Sequence, residues 1–234
     1  LPPPTYSQLF GVAETADHLR RQILAPQSPW VIALVGMGGI GKTALANYVA
    51  RQIIRDFRFE DVVWLHVSSQ TMNNRSTSSH SAFENVIADL GQHFWPESDA
   101  TIPTPQRLIQ VRQRLKSRPF LIIIDNLESE TDTAYLLHSL NDMANPSKFL
   151  LTSRTRLAEQ GTVLNYGVSE LPLADAVALL RHHASDVGVQ AMSTAASADV
   201  ESIYQVVGGN PLALKLVISL LDLLPLSQVM SGLV

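Results

Sequence analysis

Gly36-Met37-Gly38-Gly39-Ile40-Gly41-Lys42-Thr43 is the stretch on which the reading of this chain turns. It satisfies G-x-x-x-x-G-K-[ST] at every fixed position, and its flanks are those the pattern needs. The apolar run Trp30-Val31-Ile32-Ala33-Leu34-Val35 leads in. Leu45, Val49, Ile53 and Phe57 lead out at helical spacing, with Ala46 and Ala50 alongside. Glycines let successive backbone N–H groups turn inward around phosphate oxygens. The following helix directs its positive end at the same anion. In such a loop Lys42 reaches the β- and γ-phosphates, the Thr43 hydroxyl holds Mg²⁺, and Ala44 continues the first helical turn. A glycine-rich turn with a chance Lys-Thr would not also carry these flanks.

Outward from the loop, short apolar runs alternate with helical patterns. Upstream, Ala16, Leu19 and Ile23 recur on one face of a helix over 14–24, after an extended, proline-rich lead-in over 1–9. Downstream, strands are predicted over 62–67, 120–124, 149–152 and about 163–168. Helices are predicted around Phe83 to Leu90, Leu108 to Leu115 and Ala134 to Met143. Residues 68–81 and 96–105 read as loops. The expected fold is α/β: a five-stranded parallel sheet with helices on both faces. From Leu171 the pattern becomes helical throughout, through Ala176, Leu179 and Leu180, then Val200, Ile203 and Val207, then 212–221. We therefore expect a nucleotide-binding domain over 1–170 and a small helical subdomain over 171–234.

Composition narrows the classes. In 234 residues, hydrophobic side chains make up 46% and charged ones 16%, which suits a well-buried globular chain. Net charge is −4 with Lys and Arg scattered, so nucleic-acid binding by this segment is not expected. There is no cysteine, which excludes disulfides, thiolate metal sites and thiol nucleophiles and is compatible with a reducing cytoplasm. Neither a secretory signal nor a membrane-spanning run is read. Leu1 in place of Met, and an end at Gly232-Leu233-Val234 without a stop signal, lead us to expect a piece of a longer protein.

Three further positions carry chemistry. Asp125 ends an apolar strand, where a carboxylate can hold a Mg²⁺ water beside Thr43; an acidic cap on the next turn is the ordinary alternative. Hydrolysis also needs a group that orients water. The residue after Asp125 is Asn126, which cannot usefully accept a proton, so Glu128 is the nearby candidate. Arg154, at the end of the fourth strand, could reach a terminal phosphate or could be an exposed loop arginine. Asn210-Pro211 reads as an N-cap followed by a first helical residue, a complete structural explanation in itself.

The order of these motifs resembles the nucleotide-binding module of STAND ATPases, the NB-ARC family of plant disease-resistance proteins, apoptotic-protease activators and bacterial signalling regulators. GMGGIGKT (36–43), FLIIIDNLE (120–128), FLLTSRT (149–155) and GGNPLAL (208–214) carry the resemblance, with Leu9-Phe10-Gly11-Val12 a looser match. It implies a P-loop NTPase sheet followed by the first helical subdomain of the family. It further implies that Phe10, Gly11 and Val12 line an adenine pocket, that Pro211 and its neighbour Leu212 meet the nucleotide, and that Arg154 senses the γ-phosphate. Such modules act as switches: ADP holds a closed monomer, and exchange for ATP opens it and permits oligomerisation. Each nucleotide must then favour one arrangement, because equal affinity for both shifts nothing.

This chain departs from the family pattern in three places. Ala13 stands where many members carry Arg, Asn126 replaces a second acidic residue, and the winged-helix, sensor and effector parts lie outside it. His182 and His183 are expected at the surface and not as counterparts of the winged-helix histidine that contacts ADP. The expected function is an ADP/ATP-binding switch with slow or no hydrolysis. A working ATPase or small-molecule kinase is the alternative, although no Arg-rich lid is visible. A non-catalytic interaction domain that retains a decayed site is a third reading.

Overall fold

Val31–Val35 forms β1, and all five side chains are buried, as a central parallel strand requires. The structure, a computed structural model, describes residues 1–67, 81–97, 102–127, 133–157, 162–189, 192, 195 and 197–233. The loop expected over 68–81 therefore lies outside the described residues except for Ser81, and Glu128 lies outside them too. β1 is joined by β2 (Asp61–His66), β3 (Phe120–Leu127), β4 (Lys148–Ser153) and β5 (Val163–Gly167). The sheet is five-stranded and parallel, in the order β2-β3-β4-β1-β5.

The period of two along each strand divides the core between two faces. On one face Ile32, Leu34, Leu121, Ile123 and Leu150 pack under α1 (Ala13–Leu24) and α2 (Lys42–Ile54). On the other, Val31, Ala33, Ile122, Ile124, Phe149 and Leu151 pack under α3 (Ser81–Phe94), α4 (Thr104–Ser117) and α5 (Thr133–Met143). Each large apolar side chain buried in this way contributes about 1.5–3 kcal/mol relative to exposure. A separate apolar cluster gathers α6 (Leu173–Val187), α7 (Ser197–Val207), α8 (Pro211–Leu221) and α9 (Leu226–Leu233) around Ala176, Leu180, Ile203, Leu214 and Ile218.

Several local expectations are corrected. α2 stops at Ile54, and Phe57 sits beyond it at φ 52 and 90% exposed, so it does not continue the helix face. α4 begins at Thr104, with Pro105 in its first turn, so Pro105 starts a helix and does not end a loop. β3 runs on past Asp125 to Leu127, through a register shift against β4 that leaves Asn126 at φ 69. β4 starts one residue early, at Lys148. That lysine is buried because its ammonium donates to the carbonyls of Gln22 (3.3 Å) and Ala25 (2.6 Å) and lies over the Trp30 ring. Burial lowers its pKa from 10.5 to about 8.

Candidate nucleotide site at the sheet edge

The strand order positions the chemistry. β4 lies between β1 and β3, so the phosphate-loop strand and the Asp125 strand are not neighbours. Thr152 stands on the intervening strand, paired with Leu34 of β1, while Leu151 pairs with Ile124 of β3. Its Oγ1 donates to Asp125 Oδ1 at 2.7 Å and accepts from Asn126 N at 2.8 Å. From the far side Thr43 Oγ1 donates to the same Asp125 Oδ1 at 2.8 Å. Asp125 is 4% exposed, and its other oxygen lies 3.6 Å from His66 Nδ1 at the end of β2. The Thr43–Asp125 pairing read from the sequence is thus in contact, and Thr152 completes it.

The loop itself is shaped by backbone geometry. Gly39 and Gly41 take φ values of 76 and 101, which turn successive peptides in a way a β-carbon resists. Gly41 caps α2 from that conformation, and α2 starts at Lys42. Lys42 Nζ donates to the carbonyls of Gly36 (2.7 Å) and Met37 (2.9 Å), at the neck of the loop. The Met37 side chain is exposed. Ile40 is buried beneath the loop, and Gly36 approaches Val168 so closely that a Cβ would stand 2.7 Å from its carbonyl oxygen.

Beside the loop opens a cavity of about 590 Å³. Gly38 to Ala44, Phe10, Gly11, Val12, Arg154, Pro211 and Leu212 all line it, so most of the residues singled out in the sequence converge there. Asp125, Gly36 and Met37 do not line the cavity itself; Asp125 is linked to it through Thr43 and Thr152. The Arg154 side chain is exposed, and its guanidinium lies across Gly38, 3.8 Å from where a Cβ would be. Gly11, at φ 62, sits against Asp175 and Leu171, wedging the N-terminal segment between sheet and helices. The Phe10 ring meets His182 edge-on at 5.4 Å. His182 and His183 are half-buried, less exposed than the sequence suggests. Burial first, and then the nearby Lys215 ammonium, holds His183 below the usual imidazole range.

Sequence reasoning missed Thr152, His66, Lys215 and the second contact of Asn210. Thr152 lies inside the FLLTSRT stretch (149–155), but no periodicity says that a hydroxyl faces a carboxyl on the next strand. Lys215 lines the cavity from α8, one turn after Pro211. Asn210 caps α8 as expected, its side chain accepting from Leu212 N and Ala213 N, and it also donates from Nδ2 to Gly38 O at 3.0 Å. Among the described residues no cluster of three or more His, Cys, Asp or Glu could hold a metal. The hydroxyl–carboxyl pair beside a positive-φ glycine loop fits a hard cation that keeps most of its waters, the habit of Mg²⁺.

Sheet order, loop and flanking helices define the P-loop NTPase fold. The model of the NB-ARC domain family matches residues 12–170, and the chain belongs to that family. It is thereby a P-loop nucleotide-binding module. It is 28% identical, over 92% of its length, to an uncharacterised WD-repeat protein of Nostoc, of which it covers 18%. It is 29% identical over 53% of its length to the disease resistance protein RGA4 of rice, covering 12% of that protein. Among solved structures it is similar to a STAND protein with a tetratricopeptide-repeat sensor from Pyrococcus horikoshii (TM-score 0.55, 17% identity, 99% of this chain and 33% of that one). It is also similar to a Walker-type ATPase of Pyrococcus abyssi (TM-score 0.60, 12% identity, 100% of this chain and 74% of that one). The chain thus spans less than a fifth of these curated relatives. Among the described residues no helix is long and apolar enough to cross a membrane.

Proposed function

We propose that this chain is the adenine-nucleotide switch of a larger, cytoplasmic signalling protein, binding ADP or ATP with Mg²⁺ and hydrolysing ATP slowly or not at all. The observation that carries it is the convergence of Thr43 and Thr152 on one oxygen of Asp125 beside a glycine loop that opens into a nucleotide-sized cavity.

The residue roles follow from placement. The loop from Gly36 to Ala44 offers its N–H groups and the positive end of α2 to the phosphates. Lys42 supplies an ammonium held at the neck of the loop. Thr43 and Asp125 would hold Mg²⁺, which when bound supplies positive charge against the phosphate oxygens. Phe10, Gly11 and Val12 form the apolar wall for the base, with Pro211 and Leu212 closing it from the helical side. Arg154, exposed and lying across Gly38, reports a terminal phosphate. Asn126 stands where a water-activating carboxyl would be useful, and its left-handed backbone is locked by Thr152. That favours retention of nucleotide over turnover; Glu128 stays the candidate base. We divide the chain into a nucleotide-binding domain over 1–170 and a helical subdomain over 171–234, with the cavity between them. Opening of that joint on exchange of ADP for ATP would free surfaces for self-assembly and for winged-helix, sensor and effector parts.

The test is the identity of nucleotide released when the purified protein is denatured. Near-stoichiometric ADP supports the closed switch. Protein that carries none, and takes up none when Mg²⁺ and ADP or ATP are supplied, overturns it.

A further inference from the structure

Asn210 and Gly38 are separated by 172 positions in the chain, yet they are hydrogen-bonded. The side chain of Asn210 is divided between two tasks. Its Oδ1 accepts from Leu212 N at 3.0 Å and Ala213 N at 3.3 Å, which caps α8. That fixes the orientation of the amide, because backbone N–H groups need the oxygen. The Nδ2 group is left facing the Gly38 carbonyl at 3.0 Å. A second tie runs beside it, from Leu212 N to Gly39 O at 3.3 Å.

The contact is close and anchored. A Cβ on Gly39 would lie 2.5 Å from Leu212 Cβ, so the first turn of α8 presses directly on the loop. On the other side the Gly208-Gly209 turn is pinned to the segment after β5. Gly209 N donates to Glu170 Oε2 at 3.1 Å, and Leu171 N donates to Gly209 O at 2.9 Å. A side chain on Gly209 would run into the Leu171 backbone. The cap therefore holds the loop from a fixed point. A trans peptide is planar, so fixing the Gly38 carbonyl also fixes the opposite direction of the Gly39 N–H.

The geometry points to Asn210 as a positioning residue that ties the helical part to the phosphate loop and so sets how fast a bound adenine nucleotide leaves. The inference rests on the nucleotide-switch reading above. It also explains why the residue is asparagine. Ser, Thr and Asp cap a helix as well or nearly so. None of them offers an N–H₂ donor at that reach while its oxygen is engaged.

The test uses Asn210→Asp and Asn210→Ser in the whole chain, with a fluorescent N-methylanthraniloyl-ADP and Mg²⁺. Dissociation is followed on a chase with excess ADP, and melting is followed on the nucleotide-free protein. Loss of one neutral hydrogen bond should speed release roughly three- to tenfold in Asn210→Ser. Asn210→Asp also sets a carboxyl against the Gly38 carbonyl, and release should be about tenfold faster or more. Melting of both should fall by no more than about 6 °C, because the cap is kept and only the tie to Gly38 is lost. Unchanged release in both variants, with the parent binding the probe, overturns this inference and leaves the switch reading intact. Faster release matched by a large fall in melting assigns the effect to the cap and also overturns it. A parent chain that binds no probe overturns both.

Discussion

Replacing Thr152 by valine should unsettle the site without changing its volume. The side chain is 1% exposed, so the new methyl group meets protein and not water. Its hydroxyl makes two bonds, to Asp125 Oδ1 at 2.7 Å and from Asn126 N at 2.8 Å. Losing the first removes about 1 kcal/mol or more, and stranding the Asn126 N–H costs about 1–3 kcal/mol. The sum is about 2–4 kcal/mol, with Asn126 at φ 69 keeping only a long side-chain contact from Nδ2 to Val67 O at 3.5 Å. For a domain of this size about 3 kcal/mol lowers the melting temperature by roughly 6–12 °C. The assay is thermal unfolding of Thr152→Val beside Thr152→Ser, which keeps the hydroxyl and loses only a methyl group. Thr152→Val should fall by that amount and Thr152→Ser by clearly less. A valine variant that melts with the parent, or a serine variant that falls equally far, would refute the reasoning.

Other consequences follow from the same geometry. Lys148 titrates near 8 when folded and at 10.5 when unfolded, so between these values the unfolded chain binds more protons and stability must rise with pH. Against Lys148→Met, which does not titrate, the parent should gain up to about 3 kcal/mol between pH 8 and 10.5 in urea unfolding; a flat or falling difference would contradict the burial of the ammonium. Gly209→Ala should lose about 2 kcal/mol or more by denaturant midpoint because its Cβ meets the Leu171 backbone. Gly232→Ala, where nothing stands within 4 Å, should stay within about 0.5 kcal/mol. Arg154→Ala should weaken ATP roughly tenfold or more while sparing ADP, read by competition against a labelled nucleotide; equal loss for both would remove its role as a γ-phosphate sensor.

The parts of the fold that were legible in the sequence are those set by local pattern. β1 is fully apolar and bounded by Pro29 and Gly36, and its predicted extent agrees with the structure. The loop, α2 and the Asn210 cap were legible for the same reason: their chemistry lies within a few consecutive residues. What stayed hidden depends on contacts between distant segments. Lys148 falls outside the strand predicted over 149–152, yet the carbonyls of Gln22 and Ala25 at the end of α1 and the Trp30 ring accommodate its charge. His182 and His183 read as exposed until Phe10 and Lys215 are brought beside them from other elements. The turn at Asn126 comes from a register shift between β3 and β4, which alternation cannot show. The Asn210 amide was fully explained by its cap, so nothing local called for a second partner.

Titration calorimetry of the parent chain and of Lys42→Ala with ADP and Mg²⁺ tests the central claim most directly. The parent should bind one equivalent tightly, and the variant should lose about two orders of magnitude in affinity, as removal of a buried charge contact on phosphate implies. Equal affinity in the two proteins, or no heat from either, would contradict it.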